Sequence, residues 1–161
     1  MTERTNFVLT LLALLGAGLV AGVFLAFSTF IMRALAMMPP AQGMLAMQNI
    51  NVTVITPIFM AVLFGTALIA AYLGFVAFRA GPGGSGSMVM VASACYIFGV
   101  IGVTMAFNVP LNDGLAAAQP TASGSEIQWA TYVSSWTWWN HVRCAFSLFS
   151  AVAFALVLRG L

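Results

Sequence analysis

Lysine is absent from this chain of 161 residues, and five arginines, three acidic side chains and one histidine are all that stand against 62% apolar composition. Charged residues make up 5% of the chain, where a soluble domain carries about 25%. A chain so poor in charge cannot cover a water-facing surface, so composition excludes a soluble domain and implies an integral membrane protein. The net charge of +2 is small and scattered, which excludes the basic footprint of a nucleic-acid binder. The two cysteines, Cys95 and Cys144, lie in apolar runs on spans of opposite direction and at different depths. They read as small apolar side chains rather than a disulfide. One histidine and two cysteines without CxxC spacing exclude a zinc or iron–sulfur site within one chain, so no metal is expected. A homo-oligomer stays open, including one that gathers a His141 from each copy.

What the chain does have is apolar length. The run from Phe7 to Met32 far exceeds the roughly 7–15 residues of a signal-peptide core and is long enough to cross about 30 Å of hydrocarbon. It reads as a retained transmembrane helix within a first span of about 6–36, and further spans fall at about 52–78, 88–107 and 136–158. Pro39-Pro40 ends the first span, and residues 41–51 form a connector that reads as a short interfacial helix. Ala80 to Ser87, AGPGGSGS, is a flexible turn, and 126–135 reads as one or two amphipathic helical turns. Small side chains at Gly18, Gly22, Ala26 and Thr29, and at Cys95, Gly99, Gly102 and Ala106, predict two strips of close helix approach. The fold class is all-α: one domain, 1–161, forming an antiparallel four-helix integral membrane bundle. Arg4, Arg79 and Arg159 gather at the end that carries the termini. The positive-inside rule predicts that this end is cytoplasmic and that the interfacial helices lie on the non-cytoplasmic side.

The up-down-up-down path should bring distant polar residues to one level at the other end. Arg33 closes the first span there, Asn49 and Asn51 precede the second, Asn108 and Asn112 follow the third, and Trp139, Asn140, His141 and Arg143 open the fourth. Trp136, Asn140, Arg143 and Ser147 follow spacings of four, three and four, which is one helix face. Arg143 lies too deep to face lipid without a cost of a few kcal/mol at about the lower bound of such penalties, so it should face the bundle or a water-filled cleft. Trp129 and Trp138 read as interfacial belt residues.

Four segments, GVFLAFSTFIMRAL, MQNIN, NVPLND and WTWWNHVR, stand in this order at the matching helix ends. Together they resemble the anthrone oxygenase family of small four-helix membrane proteins, over almost the whole chain. The resemblance implies oxidation of a flat polyketide anthrone by O2 without flavin or haem, so no cofactor is expected and O2 is the co-substrate. It also implies functional roles at Arg33, Asn49, Asn51, Asn108, Asn112, Trp139, Asn140 and Arg143, with His141 beside them.

An anthrone has an acidic C–H next to an aryl ketone, and its enolate is electron-rich enough to react with oxygen. On this reading the catalytic set is His141, Arg143, Asn108 and Arg33. His141 is the expected base, because imidazole is the side chain that ordinarily changes charge near neutral pH. Arg143 and Arg33, with Asn108 and Asn140, would stabilise the enolate and peroxide oxygens. Trp136 and Trp139 would flank the ring system, and Asn49, Asn51, Asn112 and Asn140 would line the substrate site. The alternative is a membrane protein that binds a quinone, lipid or polyketide without chemistry. A small transporter or a subunit of a larger membrane complex is disfavoured, because no Asp, Glu, Lys or His lies in the inner half of any span.

Overall fold

A computed structural model describes residues 3–81 and 83–160. Met1, Thr2, Leu161 and Pro82, the last within the expected glycine-rich turn, lie outside the described residues. Among those described, the chain is all-helical, with no strand. Four helices are long and apolar enough to cross a membrane: α1 (Glu3–Ala36), α3 (Pro57–Ala80), α4 (Ser85–Ala116) and α5 (Ser125–Leu158). A shorter helix, α2 (Pro40–Thr53), lies between the first two. The chain is a multi-pass membrane protein built as a four-helix bundle.

The helices run further than the apolar segments predict. Span two was expected from residue 52, but α2 continues to Thr53 and the chain breaks at 54–56. Thr56 then caps α3 by accepting a hydrogen bond from the Phe59 N–H at 3.2 Å, and Pro57 takes the first helical position, where its missing N–H costs little. Span three was expected to stop near residue 107; instead α4 passes through Pro110 to Ala116. Pro110 is tolerated because the preceding segment, Thr104–Asn108, is wound with wider i→i+5 hydrogen bonds. The ladder has already slipped by one residue there, so one absent donor does not break it. The fourth span and the amphipathic turns before it form one continuous helix.

Packing is antiparallel and close, and the α1–α5 seam shows how it is held. On α5, Ser147 Oγ donates to the Ala17 carbonyl (2.9 Å), Cys144 Sγ contacts the Ala21 carbonyl (3.9 Å) and Asn140 Nδ2 donates to the Phe24 carbonyl (2.8 Å). Numbers rise on one helix as they fall on the other. The approach is possible because Ala17 and Ala21 are small; it lets polar side chains reach backbone carbonyls across the seam, each worth roughly 0.6 kcal/mol in a membrane protein. Across the bundle, Tyr96 donates to the Leu63 carbonyl at 3.1 Å and Ser150 to the Ala92 carbonyl at 2.9 Å.

Neither small-residue strip is used as expected. Gly18 and Gly22 are exposed, and a Cβ on either would meet nothing within 4 Å. The contact face of α1 is the neighbouring strip, Ala13, Gly16, Ala17, Val20 and Ala21. On α4 only Gly99 of the four expected positions is a close-approach glycine: a Cβ there would collide with the base of the Phe146 side chain. The wide-turn segment Cys95–Gly102 alters the helical phase, so that residues four apart, Ala92, Tyr96 and Val100, stay on the buried face. Large apolar side chains such as Leu19, Leu68, Phe75, Phe98 and Phe149 are exposed around the bundle, the surface expected where lipid is the solvent.

A second apolar cluster closes the connector end. Met32 and Leu35 of α1, Met44 and Met47 of α2, Leu115 of α4, and Trp129, Tyr132 and Trp136 of α5 pack there. Gly43 allows α2 to lie on Trp129, since a Cβ at that position would come within 3.0 Å of the indole. Trp129, expected in the interfacial belt, is therefore buried at 3% exposure, whereas Trp138 is 63% exposed. Both cysteines are free.

Candidate functional site

Between the two apolar clusters the bundle is hollow. A cavity of about 220 Å³ lies at the connector end, with walls from all five helices. Phe24 and Phe27 of α1, Met60 and Leu63 of α3, and Trp136 of α5 supply much of its apolar lining. Its polar members are few: Asn51, Thr104, Asn112 and Arg143. Phe64 and Met105, which also line it, are 46% and 56% exposed, so this wall meets the outer surface of the bundle.

Arg143 is the only buried charged side chain among the described residues, at 6% exposure. It sits where the α5 face predicts, on the same buried side as Trp136, Asn140 and Ser147. Its partners are all neutral. Nη2 donates to Asn140 Oδ1 at 2.9 Å and Nη1 to Thr104 Oγ1 at 3.4 Å. The guanidinium carbon stands 4.4 Å from the Phe24 ring centre and 5.1 Å from that of Trp136, which places the cation against two aromatic faces. Its Nε is buried and has no partner within the protein. Glu3, Asp113 and Glu126, the three acidic residues, are all exposed. A buried cation held by neutral groups, with a donor to spare, has the electrostatics of a site for an anion.

Asn140 fixes the guanidinium. Fully buried, it donates through Nδ2 to the Phe24 carbonyl at 2.8 Å and to Ser28 Oγ at 2.7 Å. Those two bonds leave the carboxamide oxygen turned to Arg143. The Phe24 carbonyl lies just before the wide-turn segment Phe27–Ile31, the kind of helix irregularity that often accompanies functional sites. On the opposite side, Asn112 Oδ1 accepts from Trp136 Nε1 at 2.8 Å and Tyr132 Oη at 2.9 Å. Asn51 Nδ2 reaches the same phenol at 3.5 Å. Tyr132 and Trp136 stack with ring centres 6.4 Å apart. Asn112 thus orients one cavity wall by accepting from both rings.

Of the residues predicted from sequence, Arg143, Asn140, Asn112, Asn51 and Trp136 come together here. Asn108 is buried beside them, donating to the Trp136 carbonyl at 3.2 Å, but does not line the cavity; its Oδ1 has no partner within the protein. The other four lie elsewhere. Asn49 is exposed on α2. Trp139 stacks on Phe107, rings 3.6 Å apart and 7° from parallel, and does not line the cavity. Arg33 and His141 are exposed and line a separate outer cleft. Helical geometry explains the separation of His141 from Arg143: residues two apart stand about 200° apart around the axis. Thr104, Phe24, Ser28 and Tyr132 were not anticipated as site residues. Thr104 and Ser28 carry no signal within an apolar span, while Tyr132 lies four residues before Trp136, a spacing that marks a shared face.

Among the described residues no group of three or more His, Cys, Asp or Glu could hold a metal ion. No curated protein and no solved structure matches the chain closely enough to compare. A sequence model of one family, described as anthrone oxygenase, matches residues 53–153, which include α3, α4 and the cavity-forming part of α5. The match spans well over half the chain, and on that ground the protein belongs to the anthrone oxygenase family.

Proposed function

We propose that the cavity binds the enolate or phenolate form of a flat, apolar aromatic compound and oxidises it with O2, in the manner the family name suggests. The observation that carries this reading is Arg143, a buried guanidinium without a carboxylate partner, on the wall of an apolar cavity. In this reading Arg143 favours the anion over the neutral ketone, and each unit by which it lowers the pKa of a bound substrate corresponds to about 1.4 kcal/mol. The proton passes to water, since no side chain on the cavity wall is a ready base and His141 lies outside it. The enolate carbon then reacts with O2 to give a peroxide. That peroxide loses water, so the CH2 becomes C=O, and the two hydrogens leave with the second oxygen atom. The chain's own residues supply anion stabilisation, aromatic walls and exclusion of bulk water; no cofactor enters the scheme.

Size narrows the substrate. A cavity of about 220 Å³ exceeds the ~150 Å³ that holds benzene and falls below the ~300 Å³ at which drug-sized sites begin. That volume suits a compact flat ring system, which enters where Phe64 and Met105 meet the outer surface of the bundle. The positive-inside rule, applied to Arg4, Arg79 and Arg159, puts the terminal end in the cytoplasm and the cavity toward the opposite leaflet.

The test is oxygen uptake by the purified protein with an anthrone or a two-ring analogue, measured above the protein-free rate. Arg143→Met should lower turnover by about 10²–10³, the usual cost of losing one oxyanion-stabilising group, while His141→Ala loses less than about tenfold, below the ~10²–10⁴ that a general base contributes. Full turnover in Arg143→Met, with its helical structure intact, refutes the reading. Tight binding of the compound with no oxygen uptake would instead support the non-catalytic binder.

A further inference from the structure

Two of the residues expected to be catalytic, Arg33 and His141, lie outside the cavity and line the same outer cleft. It has a volume of about 420 Å³ and runs between α1 and α5. Each helix contributes positions at spacings of one, three, one and three, 28 to 36 on α1 and 133 to 141 on α5, so the cleft is a straight groove between two antiparallel helices. In the register of the seam, Arg33 enters toward the connector end and His141 nearer the bundle centre. A helical side chain leans toward its own N-terminus. The helices are antiparallel, so Arg33 and His141 lean toward each other from opposite ends of the groove.

Between them hydroxyl side chains are set among the apolar Met32, Ala36 and Val133. Ser28, Thr29, Ser134 and Thr137 bring hydroxyls to the groove, and the Thr137 hydroxyl oxygen is buried with no partner within the protein. No acidic side chain lines it. The flanks are apolar: Trp138 in the groove is 63% exposed, and Phe30 and Met37 on the adjoining surface are 61% and 81% exposed. Arg33 lies three residues from the end of α1, where a guanidinium reaches the headgroup layer of a bilayer.

We propose that this groove binds the phosphodiester headgroup of an anionic phospholipid. Arg33 and His141 donate to the phosphate, the exposed Ser134 supplies a further hydroxyl donor, and an acyl chain runs over Trp138. A soluble anion would find the cation and the hydroxyls but would have no use for flanks continuous with the lipid-facing surface. The site is independent of the oxygenase reading; it adjoins the cavity's surroundings through Ser28, whose Oγ accepts from Asn140, and through Met32, which packs in the same cluster as Met47 and Trp136.

The experiment is native mass spectrometry of the detergent-purified protein titrated with phosphatidylglycerol, with phosphatidylcholine, and with phosphatidylglycerol in competition with inorganic phosphate. The anionic lipid should bind more tightly than the zwitterionic one, and millimolar phosphate should not displace it. Arg33→Gln should weaken phosphatidylglycerol binding about fivefold, the effect of about 1 kcal/mol per basic residue at an anionic surface. His141→Gln should weaken it as well. Arg33 and His141 are exposed, so both variants should fold, which circular dichroism checks. Unchanged lipid binding in both variants overturns the proposal, and so does displacement of the lipid by inorganic phosphate.

Discussion

Asn140→Asp separates a structural arginine from an anion-binding one, because it should lower activity far more than stability. In the native protein Arg143 Nη2 stands 2.9 Å from Asn140 Oδ1. A carboxylate in that place would attract the guanidinium by about 4 kcal/mol for charges 4 Å apart at an effective dielectric of 20. Against this stand the desolvation of the carboxylate, several kcal/mol, and loss of the donations to Phe24 and Ser28, roughly 0.6–1.7 kcal/mol each. The costs match or exceed the gain, so thermal stability should be close to that of the parent or modestly lower. Activity should drop much further, because the positive charge that favours the substrate anion is now neutralised from within. Oxygen uptake should fall by about 10²–10³, as for removal of an oxyanion-stabilising group. Asn140→Leu is the control: it leaves the guanidinium nitrogen without its best acceptor and should destabilise the fold by about 2–4 kcal/mol. Thermal unfolding in detergent and an oxygen electrode read the two effects separately. If Asn140→Asp keeps parental turnover, Arg143 serves the fold alone and the anion-binding argument fails.

Other variants test the packing and the cavity. Gly99→Ala places a methyl group against the Cβ and ring of Phe146, forcing α4 and α5 apart; it should destabilise by about 1–3 kcal/mol and recover in combination with Phe146→Gly, not with Phe146→Ala, which keeps the clashing Cβ. Gly18→Ala, with nothing within 4 Å of the new carbon, should be neutral or stabilising by up to about 1 kcal/mol through helix propensity; matched losses in the two thermal unfolding curves would contradict the packing described. Val23→Phe, on the cavity wall, should abolish turnover and ligand binding while leaving helicity unchanged, and undiminished activity would place the substrate elsewhere.

Much of the site was legible as helical arithmetic. The spacing of Trp136, Asn140, Arg143 and Ser147 predicts one face, and all four are buried. The same arithmetic, carried one step further, separates His141 from Arg143, because residues two apart on a helix do not share a face. The apolar composition and segment lengths were enough to dictate four spanning helices with antiparallel neighbours. Lipid offers backbone groups no partners, so each apolar run must satisfy its own hydrogen bonds as a helix, and short connectors then fold consecutive helices back on one another.

Rotation of each helix about its own axis was decided only in the folded bundle. Gly18 and Gly22 form as good a strip of small residues as Ala17 and Ala21, and no local rule chooses between adjacent strips. The choice came from Ser147, Cys144 and Asn140 reaching the carbonyls of Ala17, Ala21 and Phe24. The wide turns at Phe27–Ile31, Cys95–Gly102 and Thr104–Asn108 change the helical phase by amounts that a fixed period of 3.6 residues cannot anticipate. Those phases turn Thr104 and Asn112 toward Arg143 and leave Arg33 on the outside, while Asn49 is exposed on the regular helix α2. Which polar groups lie near the connector end follows from chain order; which of them meet depends on packing contacts between residues more than a hundred positions apart.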